Sequence, residues 1–148
     1  EVIGGICPIK SVDFEAAFSS NATDHGQLRR ASEKYAVDFL FDDSGNVIME
    51  GSLAEVRHIG TAFLLISRKA LIDVIEANPD LAYDVDGREQ YALFDTAIVD
   101  REYLSEDYAF CHRYRKIGGK VWSETSCVVS HFGNYEFGAT VDPICGQE

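Results

Sequence analysis

The feature that most constrains the fold is the interleaving of strand-like apolar runs with segments of helical periodicity. Residues 2–7, 37–41 and 60–66 have the length and the composition of strands, and the run at 60–66, the most apolar in the chain, is expected to be a central strand. Apolar residues at helical spacing occur between the first two runs, at 27–36, and again after Ser67. Because strands and helices interleave along the chain, the sequence predicts an α/β fold, with a mixed β-sheet flanked by helices.

The clearest helix signals lie between residues 105 and 119. Ser105 is a favourable N-cap residue, Glu106 and Asp107 occupy the first turn, and a glycine pair ending at Gly119 stops the pattern. We therefore predict a short helix whose positively polarised end carries two carboxylates. An ionised carboxylate at such a position can act as a general base. The alternative is that both acids only complement the helix macrodipole.

Composition limits the partners of this chain. Its 148 residues, 46% of them hydrophobic, are enough for one domain with its own core. The net charge of −12 disfavours sequence-independent binding to nucleic acid, and an anionic nucleotide would need a cation or a basic group beside it. No apolar run is long enough to span a bilayer. Four scattered cysteines without a CxxC pair favour reduced thiols, and we expect a cytoplasmic protein.

The rest of the chain is predicted to form a hairpin, short strands, surface loops and a tail. Residues 37–49 contain strong turn residues between two apolar runs and predict a β-hairpin. Short strands are expected at 91–94, 120–123 and 127–131, and surface loops at 11–24 and 81–90, with a tail at 138–148.

Four pieces of the chain together resemble one enzyme family. They are residues 4–10 (GGICPIK), 59–68 (IGTAFLLISR), 105–111 (SEDYAFC), and 119–122 (GKVW) leading to 129–133 (VSHFG). In this order they are similar to the C-terminal, acceptor-side half of GT-A nucleotide-sugar glycosyltransferases, over residues 1–137. The resemblance implies a partial GT-A fold that lacks the N-terminal nucleotide-binding half. It also implies a reaction that transfers a sugar from a nucleotide-diphosphate sugar to an acceptor hydroxyl.

The resemblance assigns the catalytic roles to the acid pair. Successive helix residues point about 100° apart, so Glu106 and Asp107 cannot both face one substrate. By the family pattern Asp107 is the base that deprotonates the acceptor, and Glu106 hydrogen-bonds the acceptor or holds the loop. Such a reaction implies inversion at the anomeric carbon, with retention as the alternative.

The same resemblance suggests substrate and metal contacts. His131 falls where the family has a metal ligand for Mn²⁺ or Mg²⁺; the alternative is a half-buried, hydrogen-bonded histidine at a strand end. Gly60, Thr61 and Ala62 correspond to the segment that lines the donor sugar and the acceptor, although tight sheet packing explains a small residue there equally well. Trp122 and Lys10 complete the predicted substrate contacts. The alternative for Trp122 is an aromatic residue of the core, and the alternative for Lys10 is a solvated loop residue.

One expected motif is missing. The family carries a DxD motif upstream of residues 4–5 that holds the metal and the diphosphate, and no such motif precedes them here. Asp84 and Asp86 have DxD spacing, but we interpret them as turn residues. We therefore expect the metal to bind only when the missing half is present, and this chain to be inactive alone.

The sequence leaves two other functions open and predicts one assembly state. The chain could be a non-catalytic binding or assembly module of the same fold, or a metal-dependent hydrolase that uses Glu106, Asp107 and His131. Without the nucleotide-binding half, the strand at 2–7 would lose its neighbours, and exposed strand edges pair readily with another chain. We therefore expect self-association, as a dimer.

Overall fold

The computed structural model describes residues 1–127, 129–133 and 136–138, and these form an α/β fold. The helices are α1 (Phe14–Ser19), α2 (His25–Ser32), α3 (Arg68–Ala77) and α4 (Glu106–Lys116), with 3₁₀ turns at Thr61–Phe63 and Pro79–Leu81. The strands are β1 (Val2–Gly5), β2 (Pro8–Val12), β3 (Glu33–Tyr35), β4 (Val37–Phe39), β5 (Met49–Glu50), β6 (Leu53–Ile59), β7 (Leu64–Ile66), β8 (Ala82–Val85), β9 (Arg88–Tyr91), β10 (Ala97–Val99), β11 (Glu102–Leu104), β12 (Val121–Glu124), β13 (Ser130–Phe132) and β14 (Glu136–Gly138).

The main sheet has the strand order β4–β6–β12–β1–β7, and the short strand β5 also pairs with β6. Strands β1 and β12 run parallel, with Val2 opposite Val121, whereas the other neighbours in this sheet are antiparallel. The sheet is therefore mixed, as the sequence predicts. Smaller two-stranded ladders join β2 to β3, β8 to β9, β10 to β11 and β13 to β14.

The hydrophobic core lies between one face of this sheet and the helices α3 and α4. Val2, Val121 and Val56 occupy paired positions on neighbouring strands and are fully buried. The core cluster also contains Ile59, Ala70, Val74, Phe110 and Cys111. Because Phe110 belongs to α4 and packs into this cluster, the core fixes the position of that helix against the sheet.

Local capping explains where three of the helices begin. The Asp13 and Asp24 side chains accept hydrogen bonds from the backbone N–H groups three residues later, each at 2.9 Å, at the starts of α1 and α2. Ser67 does the same for α3, accepting the N–H of Ala70 at 3.2 Å. Each cap satisfies a backbone donor that the helix itself cannot pair.

The helix and hairpin predictions are confirmed in part. Of the hairpin predicted at 37–49, only the turn forms, with Phe41 bridged to Val47 across it. The flanking strands β4 and β5 both pair with β6 and not with each other. The predicted helix at 27–36 is shorter, because α2 ends at Ser32 and the chain continues as β3.

Both predicted surface loops are wrong. Residues 11–24 contain α1, which begins at the Asp13 cap, and residues 81–90 form the β8–β9 hairpin. The strand expected at 91–94 is wrong too, because Tyr91 is the last residue of β9. The hairpin turns through Asp86 and Gly87, which have φ angles of 51° and 73°, so Asp86 is a turn residue as predicted. Asp84 is not, because it lies within β8 and is paired with Glu89.

Two expectations about strand neighbours are wrong. Strand β1 does not lose its neighbours, because it pairs with β12 on one side and with β7 on the other. The apolar run at 60–66 is not a central strand, because it begins with a 3₁₀ turn and ends as β7, the terminal strand of the sheet. Leu65 in β7 is 73% exposed. Among the described residues, the free edge of the sheet on the β1 side is therefore that of β7.

The predicted strands near the C-terminus form with altered bounds. Strand β12 covers Val121–Glu124, and β13 is restricted to Ser130–Phe132. Most of the predicted tail at 138–148 lies outside the described residues. In the part of the chain that is described, no helix combines the length and the apolar character that crossing a membrane requires.

Candidate active site around Asp107

The candidate site is built on the first turn of α4. The helix follows Ser105 and carries Glu106 and Asp107 at its start, with a basic last turn that ends at Lys116. Gly118 follows with a φ angle of +88°, a conformation that terminates a helix and that glycine adopts without strain. The predicted helix is thus confirmed at both ends, and its macrodipole favours negative charge at the first turn.

The two carboxylate oxygens of Asp107 have different surroundings. Oδ1 accepts a hydrogen bond from the Tyr108 N–H at 2.9 Å and another from the Ser105 hydroxyl. Oδ2 lies 3.5 Å from the position that a Cβ atom would occupy at Gly60. One oxygen is therefore held by two donors within the first turn, while the other faces the backbone that follows β6.

The two acids of the pair differ in exposure. Glu106 is exposed, whereas Asp107 is partly buried and faces Gly60. This difference follows from the 100° rotation between successive helix residues, which turns neighbouring side chains to different sides. Of the acid pair, the structure thus brings Asp107 together with the predicted substrate segment.

Gly60 is held closely by its neighbours. Its N–H donates to the Ala36 carbonyl at 2.8 Å, and a Cβ atom at Gly60 would lie 3.1 Å from the Ala36 Cβ. Its φ angle of −68° is accessible to any residue, so limited space and not backbone conformation favours glycine here. Thr61 and Ala62 follow in an exposed 3₁₀ turn.

A buried thiol joins α4 to the end of β6. The Cys111 Sγ lies 3.8 Å from the Ile59 carbonyl oxygen, and burial raises the pKa of the thiol to about 11. The thiol is therefore protonated at neutral pH and can donate to this carbonyl. Because Cys111 lies one turn after Asp107 and Ile59 precedes Gly60, this contact helps to fix the distance between Asp107 and Gly60.

A stacked aromatic pair flanks the site and escaped the sequence-based prediction. The rings of His58 and Tyr108 are 4.7 Å apart between centroids and nearly parallel. His58 Nδ1 lies 3.8 Å from an Asp38 carboxylate oxygen, but burial dominates and lowers the pKa of His58. Burial also raises the pKa of Tyr108, and the negative charge of Asp107 adds to this effect. Both rings are therefore neutral near pH 7. The sequence carries no local signal for this pair, because His58 lies in β6 and Tyr108 in α4.

His131 is connected to the site through backbone contacts. Its Nδ1 lies 3.0 Å from the Pro8 carbonyl oxygen, which can only accept, so Nδ1 carries a proton and donates it to this carbonyl. The preceding carbonyl, of Cys7, accepts the Ala36 N–H at 3.4 Å, and the Ala36 carbonyl in turn accepts the Gly60 N–H. Three contacts thus link the strand that carries His131 to the Asp107 region. They join His131 to Pro8, Cys7 to Ala36, and Ala36 to Gly60.

The two remaining predicted contacts lie elsewhere on the fold. Lys10 is exposed on β2. Trp122 follows the core residue Val121 on β12, and because side chains alternate along a strand, it projects from the sheet face opposite α4. The Lys120 ammonium lies 5.2 Å from the centroid of the Trp122 ring. Neither residue contacts Asp107 in the part of the chain that the structure describes.

The described side chains do not by themselves form a metal site. Within residues 1–127, 129–133 and 136–138, no three His, Cys, Asp or Glu side chains are grouped so that they could hold a metal ion. Among the described residues, His131 makes its hydrogen bond through Nδ1, which leaves Nε2 to act as a ligand. A single imidazole is still insufficient, since Mn²⁺ and Mg²⁺ require several oxygen ligands.

Comparison of this chain with models of protein families, with curated proteins and with solved structures finds no match. The case for its function therefore rests on the sequence motifs and on the geometry around Asp107.

Proposed function

We propose that this chain is the acceptor half of a glycosyltransferase that uses a nucleotide-diphosphate sugar, with Asp107 as the general base. The observation that carries the proposal is the asymmetry of the Asp107 carboxylate. Its Oδ1 is occupied by two donors, whereas Oδ2 faces Gly60, where a side chain is absent. A carboxylate oxygen that is free of internal donors can accept a proton from a substrate hydroxyl.

In the proposed reaction, Oδ2 removes the proton of the acceptor hydroxyl while that oxygen attacks the anomeric carbon of the donor sugar. The bond between this carbon and the diphosphate oxygen breaks, and its electron pair leaves with the nucleoside diphosphate. Attack opposite to the leaving group inverts the configuration. Asp107 lies in the first turn of α4, where the positive end of the helix macrodipole complements a carboxylate.

Other residues of the site receive supporting roles in this proposal. Glu106 is exposed beside the base and can accept a hydrogen bond from a second hydroxyl of the acceptor. The backbone of Gly60, Thr61 and Ala62 lines the sugar, and Lys10 offers a cation to a chain whose net charge is −12. Trp122 stays a proposed substrate contact, although the sheet lies between it and α4.

Metal binding is proposed only for an assembly that supplies a DxD motif. His131 would then contribute Nε2 to Mn²⁺ or Mg²⁺, and the metal would supply positive charge for the leaving diphosphate. The residues described here do not suffice for this, so the derived steps depend on Asp107 alone.

The test is turnover of nucleotide sugars by the complete gene product. UDP-glucose, UDP-galactose, UDP-N-acetylglucosamine and GDP-mannose would be incubated with sugar acceptors and Mn²⁺, and release of nucleoside diphosphate would be measured. Asp107→Asn should lower kcat by about 10²–10⁴-fold because the amide cannot accept the proton. Glu106→Gln is the matched control, and its loss should be much smaller.

Two results would contradict the proposal. An undiminished rate in Asp107→Asn would remove the general base from the mechanism. No turnover of any of these donors by the wild-type protein would favour a non-catalytic module of the same fold.

A further inference from the structure

The start of α4 departs from the capping pattern of the other helices described. Asp13, Asp24 and Ser67 each accept the N–H of the residue three positions later. Ser105 occupies the same N-cap position, and its carbonyl accepts the Ala109 N–H at 2.8 Å. Its hydroxyl makes no capping bond to the helix backbone and donates to Asp107 Oδ1 instead.

Asp107 takes over the capping function that Ser105 leaves unfilled. The N–H three positions after Ser105 belongs to Tyr108, and it donates to Asp107 Oδ1 at 2.9 Å. Asp107 Oδ1 thus accepts one hydrogen bond from Ser105, which precedes it in the chain, and one from Tyr108, which follows it. Two donors on a single oxygen restrict rotation of the carboxylate about its Cβ–Cγ bond, which keeps Oδ2 directed at Gly60.

We infer that Ser105 is a positioning residue, whose hydroxyl selects Oδ2 of Asp107 as the oxygen that receives the acceptor proton. This inference rests on the proposed function and extends it to a residue that touches no substrate. The Ser105 proton stays on its own oxygen throughout. The acceptor proton moves to Oδ2, the new glycosidic bond forms, and the bond to the diphosphate breaks. Without Ser105 the carboxylate can rotate, and the fraction of molecules with a correctly aimed oxygen falls.

A purely structural role of Ser105 makes a different prediction. If the hydroxyl only stabilised the helix start, its loss would lower the melting temperature and leave kcat unchanged. Ser105→Gly separates the two roles, because glycine is tolerated at an N-cap at a cost of only a few tenths of a kcal/mol, while it removes the donor. Ser105→Thr retains both the hydroxyl and the capping ability, so it serves as the conservative variant.

The experiment measures kcat, KM and the melting temperature for the complete gene product with whichever nucleotide sugar it turns over. Ser105→Gly should lower kcat by about 10-fold to 100-fold with KM within about twofold, since positioning acts on the reaction step more than on binding. Ser105→Thr should restore kcat to within about threefold of wild type. In an Asp107→Asn background, Ser105→Gly should cause no further loss, because it acts through Asp107.

Each other outcome overturns a defined part of the inference. If Asp107→Asn abolishes turnover while Ser105→Gly leaves kcat unchanged, the proposed function stands and the positioning role of Ser105 is wrong. If Ser105→Gly lowers kcat equally in the Asp107→Asn background, the serine acts through some other group. If Asp107→Asn has no effect, the proposed function fails, and the role of Ser105 fails with it.

Discussion

Gly4 lies in β1, between β12 and β7 of the main sheet, where an added methyl group would meet the core. A Cβ atom there would be 2.8 Å from Ile59 Cδ1, 3.0 Å from Leu64 Cδ1 and 3.2 Å from the Phe63 carbonyl oxygen. These separations are several tenths of an ångström shorter than an ordinary carbon contact of about 3.5–4.0 Å. Ile59 is only 1% exposed, so its side-chain end cannot move into solvent.

Gly4→Ala should therefore destabilise the fold. Overpacking of a core costs about 1–3 kcal/mol, and the reduced freedom of the unfolded chain returns about 0.4–1 kcal/mol. We expect a net loss of about 1–2 kcal/mol in the free energy of unfolding, which corresponds to about 2–8 °C in melting temperature for a domain of this size. Urea unfolding followed by circular dichroism would measure the change.

A second substitution isolates the contact responsible. Ile59→Val removes the Cδ1 atom itself and should alone cost about 0.5–1.5 kcal/mol. In the double variant with Gly4→Ala the shortest of the three contacts is removed, so the combined loss should be smaller than the sum by about 1 kcal/mol. Gly5→Ala is the matched control, because its nearest neighbours are Phe63, Cys127 and Val129 and do not include Ile59. Its effect should add to that of Ile59→Val, and additivity within about 0.5 kcal/mol for the Gly4 pair would refute the packing argument.

Two further predictions concern pH and assembly. Because burial lowers the pKa of His58 in the fold, the unfolded chain binds more protons below about pH 6.5, so the free energy of unfolding should fall as the pH decreases from 7.5 to 5.5. His58→Phe keeps the stacking on Tyr108 but cannot take up a proton. If urea titrations at the two pH values show a smaller decrease in the free energy of unfolding for this variant, His58 is the source; an equal decrease would exclude it. For assembly, we expect a dimer through the free edge of β7, which Leu65→Lys should weaken in light scattering at high protein concentration. Ile98→Lys, at a position that is 78% exposed on β10, should leave the mass unchanged, and a wild-type monomer would contradict the expectation.

The sequence was most informative where the signals were local. The start and the end of α4 were predicted because a capping serine, two acids and a glycine pair lie next to one another in the chain. Even there, the sequence could not reveal that the Ser105 hydroxyl bonds Asp107 and not the backbone. That choice depends on the side-chain rotamers, which residue types alone do not specify.

Failures of prediction followed where the relevant partners are distant or the elements are short. Helix α1 has the six residues FEAAFS, which are too few to establish a helical period, so the Asp13 cap alone does not identify a helix start. The run at 60–66 is apolar enough for a central strand, but its position depends on which strands pair with it. The His58–Tyr108 stack joins residues that are fifty positions apart, and no local pattern predicts it.

The parallel pairing of β1 with β12 also affects how the chain acquires its fold. Strand β1 leaves the ribosome well before β12, the parallel neighbour that completes its hydrogen bonds and that begins only at Val121. Contacts that span so much sequence are slow to form, and until they do, an apolar strand stays available to other nascent chains. A protein truncated before Val121 would keep β1 permanently in that state. The yield of the untruncated protein in cells should thus depend more strongly on chaperone supply than the stability of its folded state suggests.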